Sequence, residues 1–260
     1  MGILNVTPDS FSDGGNFLTK SEALKHVENL IEDGADIIDV GGESSRPGAS
    51  PVSVEEELSR VIPVIKLIKK NFPDILISID TYKSQVASEA IKFGADIVND
   101  ITGLKGCSKM APLVSKTEVF VVIMHMRGNP QNMQNNTNYT NLTLEISNFF
   151  KDQIDYAESF GIKNNKIILD PGIGFGKSVD QNFIIIKNIN RFRDLGYPIL
   201  IGTSRKSFLT KTLKTNPNNV LEGTIASSLF CTLNGASILR VHDVKEVKRS
   251  IRIIEKIMKS

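Results

Sequence analysis

The sequence is poor in cysteine, in long apolar runs and in net charge, and each shortage excludes a class of protein. Its only two cysteines, Cys107 and Cys231, lie far apart without metal-site spacing, so we expect ordinary buried thiols in a reducing compartment. The longest apolar run, at residues 119–124, is too short to cross a membrane. The net charge of +2 is too small to indicate a nucleic-acid partner.

Several catalytic and targeting motifs are also missing. No basic segment followed by an apolar stretch opens the chain, so we expect a soluble, cytoplasmic protein without a membrane partner. No Walker A motif, no G-x-S-x-G elbow and no cluster of His, Cys and Glu with zinc spacing occurs. The sequence thus gives no sign of a P-loop, serine-nucleophile or zinc site.

What the sequence does contain is an acid between an apolar run and three glycines, at residues 167–177. The apolar run predicts a buried parallel strand that ends before Pro171, because proline cannot donate to a sheet. Asp170 then lies at the carboxyl end of this strand, where a carboxylate is costly unless it is hydrogen-bonded. Its partner is either a protein group, in which case the acid caps a turn, or a ligand that the glycines allow to approach closely.

Strand and helix patterns alternate along the whole chain without a change of composition. Gly34, Gly94 and Gly235 each end a predicted helix and lead directly into a strand. Eight such units predict a single α/β domain over residues 1–260, a (β/α)8 TIM barrel. A doubly wound open sheet is the alternative, but no G-x-G-x-x-G follows the first strand. The predicted strands span residues 2–6, 36–40, 75–79, 96–99, 119–124, 167–169, 199–201 and 237–241. The predicted helices span residues 21–33, 54–71, 84–93, 109–115, 142–160, 180–195, 207–213, 222–233 and 244–258.

Polar residues follow these strands, at the face where TIM barrels carry their active sites. Two acids and an amide, Asp80, Asp170 and Asn99, combine acceptors with a donor and suit a flat heterocycle that carries N–H groups beside a carbonyl. Cationic side chains follow other strands and suit phosphate or carboxylate groups. These cations are Arg46, Arg205, Lys206 and Arg240, with His242 as a further donor.

Two segments resemble signatures of the dihydropteroate synthase family. Met1–Gly15 is similar to its first signature, and Gly41–Gly48, reading GGESSRPG, is similar to its second. Asp170–Lys177, Ser204–Ser207 and Arg240–Val244 match further family segments in the same order. The resemblance therefore spans essentially the whole chain.

The resemblance implies a transferase of folate biosynthesis, a target of sulfonamides, that condenses hydroxymethyl-dihydropterin diphosphate with para-aminobenzoate and releases pyrophosphate. It implies Mg²⁺ bound through Asn5, and a homodimer formed by helices outside the barrel. The residues that it assigns to the pterin are Asp80, Asn99, Met124, Asp170 and Lys206. Those that it assigns to the diphosphate are Arg46, Arg240 and His242. Those that it assigns to para-aminobenzoate are Phe11, Ser45, Pro47, Phe175 and Ser207, with Asp13 in a loop that closes over the reacting centre.

The implied reaction is a dissociative displacement, so the absence of a nucleophilic serine or cysteine is expected. The catalytic residues are then Asp80, Asp170, Lys206, Arg240 and His242. The family usually has threonine in place of Ser45, and it usually has further residues before the first strand, so we expect this chain to be shortened at its start.

Two alternatives remain open. A methyltetrahydrofolate-binding methyltransferase shares the pterin-holding acids but does not need the cations. A pterin-binding protein without catalysis would not need Asn5 or the cationic rim.

Overall fold

The computed structural model describes residues 1–7, 20–46 and 48–260. Over these ranges every helix is too short or too polar to span a lipid bilayer. The strands are β1 (Gly2–Asn5), β2 (Ile37–Gly41), β3 (Leu76–Asp80), β4 (Ile97–Asp100), β5 (Phe120–Met124), β6 (Ile167–Asp170), β7 (Leu200–Ile201) and β8 (Ile238–Leu239). The helices are α1 (Lys20–Glu32), α2 (Val54–Asn71), α3 (Ser84–Lys92), α4 (Met110–Val114), α5 (Leu142–Ser159), α6 (Val179–Lys187), α7 (Ile189–Arg193), α8 (Ser207–Leu213), α9 (Leu221–Leu233) and α10 (Val244–Met258).

The strands form a parallel barrel in chain order. β1 to β6 make one sheet and β7 pairs with β8, every neighbour running parallel. Single bridges join the two sheets on both sides, between Leu169 and Ile199 and between Gly2 and Val241. The order from β1 to β8 therefore closes into a ring, and the predicted TIM barrel is confirmed.

The period of two along a strand decides which side chains face the inside of the barrel. Ile97, Val122, Ile168, Leu200 and Ile238 pack together in one apolar layer inside it. The residue two positions further along each of these strands faces the same inward side and lies at the carboxyl end, where the candidate site is formed. Those residues are Asn99, Met124, Asp170, Gly202 and Arg240.

A larger apolar core lies outside the strands, between the barrel and its helices. The connections into β2, β4 and β8 turn sharply at Gly34, Gly94 and Gly235, whose φ angles are 97°, 101° and 101°. Side chains other than glycine rarely adopt this left-handed region, which explains the repeated helix–glycine–strand pattern in the sequence.

The helix predicted over residues 180–195 is divided in two at Asn188. This residue separates α6 from α7 with a ψ of 22°. Its side-chain Nδ2 donates to the carbonyl of Ile184 at 2.7 Å. Asparagine competes in this way for backbone groups and favours the ends of helices, which is why the continuous helix prediction is wrong here.

The segment at residues 128–141 is rich in asparagine and glutamine, which predicts a loop outside the core. The prediction is wrong for one residue. Met133 is 2% exposed and packs with the apolar side chains beneath the barrel mouth. After it in the chain, Gln134 Nε2 donates to the carbonyl of Gly174 at 2.8 Å, and the hydroxyl of Tyr139 donates to the carbonyl of Gly176 at 3.0 Å. The segment therefore supports the glycine-rich loop that follows β6.

Candidate active site

A cavity opens at the carboxyl ends of the strands. In the described part of the chain its walls come from the loop after β2 and from the ends of β3 to β8. The lining residues are Ser45, Asp80, Asn99, Ile101, Met124, Asp170, Ile173, Phe175, Gly202, Lys206 and Arg240.

The sequence-based set of site residues includes all of this lining except Ile101, Ile173 and Gly202. Apolar side chains and glycine carry no chemical signal of their own, so they were missed. The position of two of these residues could have identified them, because Ile101 directly follows β4 and Gly202 directly follows β7.

Two carboxylates and an amide face this cavity. Asp80 and Asn99 are register partners on adjacent strands. Oδ1 of Asn99 is buried and has no hydrogen-bond partner among the described residues. Oδ1 of Asp170 accepts from the backbone N–H of Gly172 at 2.7 Å. A buried polar atom without a partner is costly, so the site suits a ligand that brings polar hydrogens.

Burial raises the pKa of both Asp80 and Asp170. The guanidinium of Arg240 opposes the rise at Asp80, and the N–H of Gly172 and the ammonium of Lys206 oppose it at Asp170. Donors and cations of the protein, rather than water, therefore stabilise the charge of the two buried carboxylates.

Arg240 is fixed between two acids. Its Nε donates to Oδ2 of Asp39 at 2.7 Å, and its Nη2 donates to Oδ2 of Asp80 at 2.8 Å. Burial alone would lower the pKa of Arg240, but the two carboxylates raise it, so the side chain stays charged. The sequence predicted Arg240 as a diphosphate ligand but did not reveal that two acids already hold its guanidinium.

Lys206 lines the same cavity as Asp80. Its Nζ is 4.2 Å from the centre of the Phe175 ring, a cation–π distance. Burial and the nearby Arg240 lower the pKa of Lys206 to about 8, against the pull of Asp170 and Asp80. Lys206 is therefore the cation at the mouth that loses its charge closest to neutral pH.

His242 is held by two polar contacts with Ser204. The hydroxyl of Ser204 accepts from the backbone N–H of His242 at 3.2 Å and lies 3.0 Å from its Nδ1. In the tautomer in which this hydroxyl donates to Nδ1, Nε2 carries the ring proton. Burial lowers the pKa of His242 to about 3, so it acts as a neutral donor at neutral pH.

A lysine without contact to the cavity fixes the loop after β6 from behind. Lys177 is 3% exposed, and its Nζ donates to the carbonyl of His125 at 2.9 Å. The same Nζ lies 2.9 Å from Nδ1 of His125. Burial lowers the pKa of Lys177 well below its usual range and that of His125 to about 2. The pair thus joins the end of β5 to the loop that carries Phe175.

The remaining predicted site residues lie beside the cavity or outside the described ranges. Arg46 and Ser207 are exposed, whereas Asn5 and His242 are half-buried. None of these four is among the lining residues of the described chain. The roles predicted for Phe11, Asp13 and Pro47 fall on residues outside the described ranges.

The described residues contain no group of three or more His, Cys, Asp and Glu side chains that could hold a metal ion. They do offer an oxygen-lined space beside Gly41. A Cβ added at Gly41 would come within 3.7 Å of both Oδ1 of Asn5 and Oδ2 of Asp80. Because glycine has no side chain, this space stays open next to the mouth.

Comparison with known proteins gives consistent results over the full chain. A family model described as "Pterin binding enzyme" matches residues 1–242. The dihydropteroate synthase of Clostridium beijerinckii is 49% identical over 260 residues, which cover 100% of this chain and 94% of that protein. A crystal structure of dihydropteroate synthase from Clostridium difficile in the presence of pteroic acid has a TM-score of 0.93 and 49% identity, covering 100% of this chain and 96% of that one. The Xanthomonas albilineans enzyme with 4-aminobenzoic acid has a TM-score of 0.93 and 38% identity, covering 100% and 92%.

Proposed function

This chain belongs to the dihydropteroate synthase family of pterin-binding enzymes, and on that premise we propose that it condenses hydroxymethyl-dihydropterin diphosphate with para-aminobenzoate. The products are dihydropteroate and pyrophosphate. The observation that carries the proposal is the cavity at the barrel mouth, where Asp80, Asn99 and Asp170 face a common space beside Lys206 and Arg240.

The acids and the amide suit the pterin. Its ring presents N–H groups beside a carbonyl, and Asp170, Asp80 and Asn99 supply buried acceptors with one amide donor. Met124, which is 3% exposed, provides an apolar surface for the flat ring. Such bonds are strong only where water is excluded, as it is at the end of a buried strand.

The cations suit the leaving diphosphate. As its bond to the pterin methylene breaks, negative charge grows on the diphosphate, and positive groups that are already in place stabilise that charge. Arg240 is fixed in this way by Asp39 and Asp80, and the neutral imidazole of His242 is a further candidate donor. The methylene is left as a cation that the arylamine attacks, so no protein nucleophile is required.

The proposed place for Mg²⁺ is the oxygen-lined space beside Gly41, near Oδ1 of Asn5 and Oδ2 of Asp80. This ion prefers oxygen ligands and keeps most of its waters, so one amide oxygen from Asn5 together with substrate oxygens is a sufficient donor set. When bound, Mg²⁺ would supply charge neutralisation at the diphosphate. The chain's own part is to hold the oxygen of Asn5 beside Asp80.

The arylamine would bind on the opposite side of the mouth. Ser45 and Phe175 line the cavity there, and Ser207 is exposed at the start of α8. The first-turn N–H groups of a helix attract a carboxylate, which is the group at the far end of para-aminobenzoate.

The test is to incubate the chain with the pterin diphosphate, para-aminobenzoate and Mg²⁺ and to measure pyrophosphate and dihydropteroate. We expect equal amounts of the two products, and neither of them without para-aminobenzoate. Pterin binding without any product would contradict the proposal, as would methyl transfer from a methylated folate.

The affinity for the pterin diphosphate should fall as pH rises through about 8, because burial lowers the pKa of Lys206, which is assigned to the pterin, to about 8, and the neutral amine then offers this anionic substrate no charge and one hydrogen fewer. The KM for this substrate, measured between about pH 7 and pH 9, checks the prediction. Lys206→Arg keeps its charge and should remove the step. A step that persists in this variant would assign the titration to another group.

We also propose a homodimer formed through α8, α9 and α10. These neighbouring helices expose large apolar side chains, which mark association surfaces when they lie close together. The exposed residues are Leu213, Leu221, Phe230, Leu233, Ile253, Ile257 and Met258.

Ile253→Glu should convert this dimer to a monomer, because a charge would then lie in the apolar contact. Ile253 is 64% exposed, so the fold should tolerate the change. The control is Leu144→Glu, at a 54% exposed residue of α5. Sedimentation of the three proteins at equal concentration measures the effect. A monomeric unmodified chain, or dissociation by both variants, would contradict the assigned surface.

A further inference from the structure

A buried ionic cluster lies behind the loop that follows β2. It consists of Lys83, Glu43, Glu57 and Tyr82, and we call it the loop anchor. Nζ of Lys83 is 2.5 Å from Oε2 of Glu43 and 2.5 Å from Oε2 of Glu57. The hydroxyl of Tyr82 donates to Oε1 of Glu43 at 2.8 Å. The anchor thus joins the loop, the first turn of α2 and the chain between β3 and α3.

The loop anchor is too buried to be an ordinary surface ion pair. The exposed fractions of the side chains are 12% for Lys83, 12% for Glu43 and 1% for Glu57. Burial alone would lower the pKa of Lys83, but the two carboxylates together raise it. Removing the shared cation would leave two carboxylates buried without compensation, which is strongly unfavourable.

Glu43 also closes the loop on itself. Its Oε2 accepts from the backbone N–H of Val52 at 3.0 Å, so the two ends of residues 43–52 are tied together. Nη1 of Arg60 on α2 donates to the carbonyl of Gly42 at 2.6 Å. Between these fixed ends lies Ser45, which lines the cavity. The position of Ser45 is therefore set from behind, by side chains that do not line the cavity around Asp170.

We propose that Lys83 and Glu43 are positioning residues for the arylamine substrate. They hold the loop after β2 so that Ser45 and Arg46 face the mouth where the arylamine must be aimed at the pterin methylene. This inference rests on the proposed function. Glu43 follows β2 and lies within the second signature. In this inference it holds the loop in place and does not contact the substrate.

The chain offers a matched control at the other end of the same helix. Lys69 of α2 donates from Nζ to the carbonyl of Ile75 at 2.9 Å and to Oδ2 of Asp96 at 3.1 Å. This pair also ties α2 to the barrel, but at the amino ends of the strands and away from the cavity. Its loss should lower stability without changing either substrate's KM.

The experiment compares Lys83→Met, Lys83→Arg and Lys69→Met with the unmodified chain. Steady-state kinetics give kcat and the KM for each substrate, and calorimetry gives the affinity for the pterin alone. In Lys83→Met we expect the KM for para-aminobenzoate to rise about tenfold, because a misplaced loop no longer aims this substrate. Pterin affinity should stay within about twofold, since the residues that line its pocket are untouched. Lys83→Arg, which keeps the charge, should restore most of the loss.

Glu43→Gln provides a second variant if Lys83→Met does not fold. It keeps the shape of the side chain and should raise the same KM by a smaller factor. An unchanged KM for para-aminobenzoate in a folded variant would overturn the inference while the proposed function stands. An equal rise in Lys69→Met would also overturn it, because the effect would then be one of general stability. If the unmodified chain makes no product, the proposed function fails and the positioning role fails with it.

Discussion

Asp170→Asn is expected to weaken pterin binding by about 1.5–3 kcal/mol, or roughly 10- to 150-fold, the contribution of a hydrogen bond to a charged group. One oxygen of Asp170 accepts from Gly172, and this bond can persist in the variant. The other oxygen is replaced by an amide group that presents hydrogens to the N–H groups of the pterin. Two donors then face each other in a buried site. Calorimetric titration with the pterin, without diphosphate, measures the effect directly.

Asp100→Asn is the matched control for this experiment. Asp100 is also buried at the end of a strand, but its carboxylate accepts from the backbone of Thr102 and Leu104 and does not line the cavity. The control should lose stability and keep its affinity for the pterin. Equal affinity losses in the two variants would show that any buried strand-end acid has this effect. Unchanged affinity in Asp170→Asn would remove Asp170 from the pterin site.

Arg240→Met is expected to lower the free energy of unfolding by about 3–5 kcal/mol, the usual cost of breaking a buried ion pair by removing one partner. Asp39 is fully buried, and its Oδ1 already lacks a partner in the described chain, so loss of the guanidinium leaves this acid without compensation. Denaturant titration checks the loss. Adding Asp39→Asn to the variant should recover part of it, because one buried charge is removed.

The same variant should lower kcat much more than it lowers pterin affinity. In the proposed mechanism Arg240 acts on the charge that grows on the departing diphosphate, whereas Asp170 and Asn99 hold the pterin ring. Arg205→Met is the control, since Arg205 pairs with Asp243 at 2.6 Å but is 39% exposed. A pair this exposed should contribute no more than about 1 kcal/mol. Equal losses of stability in Arg240→Met and Arg205→Met would contradict the larger contribution assigned to the buried ion pairs of Arg240.

The fold was predictable because the apolar periodicity of strands and helices, and the glycines that end helices, repeat along the chain. The bounds of α2, α8 and α10 agree with the sequence prediction residue by residue. The eight-stranded barrel is confirmed, and the predicted family resemblance is confirmed by the match over residues 1–242 and by the 49% identical relative. The local exception is Asn188, where one side chain competes for a helix carbonyl and no hydrophobic pattern reports it.

The site was predictable as a set of residues at strand ends but not as a set of contacts. The sequence predicts Arg240 and Asp80 as polar residues near the mouth. It did not show that Arg240 bonds Asp39 and Asp80, because these partners lie 201 and 160 residues away along the chain. Nor did it show that Lys83 pairs with both Glu43 and Glu57. Pairings of this kind depend on the register of neighbouring strands and on helix placement, which residue types alone do not encode. The roles in the reaction, Mg²⁺ binding and the homodimer stay predictions.

The apolar layer inside the barrel has a consequence for how this enzyme can evolve. Val122 and Ile168 lie two residues before Met124 and Asp170 on the same inward face, so their volume sets the depth of the pocket floor. Neither residue is among those that line the pocket. Conservative exchanges there can nevertheless tilt the side chains above and change which heterocycles fit, so reduced drug susceptibility can arise at positions hidden from the drug.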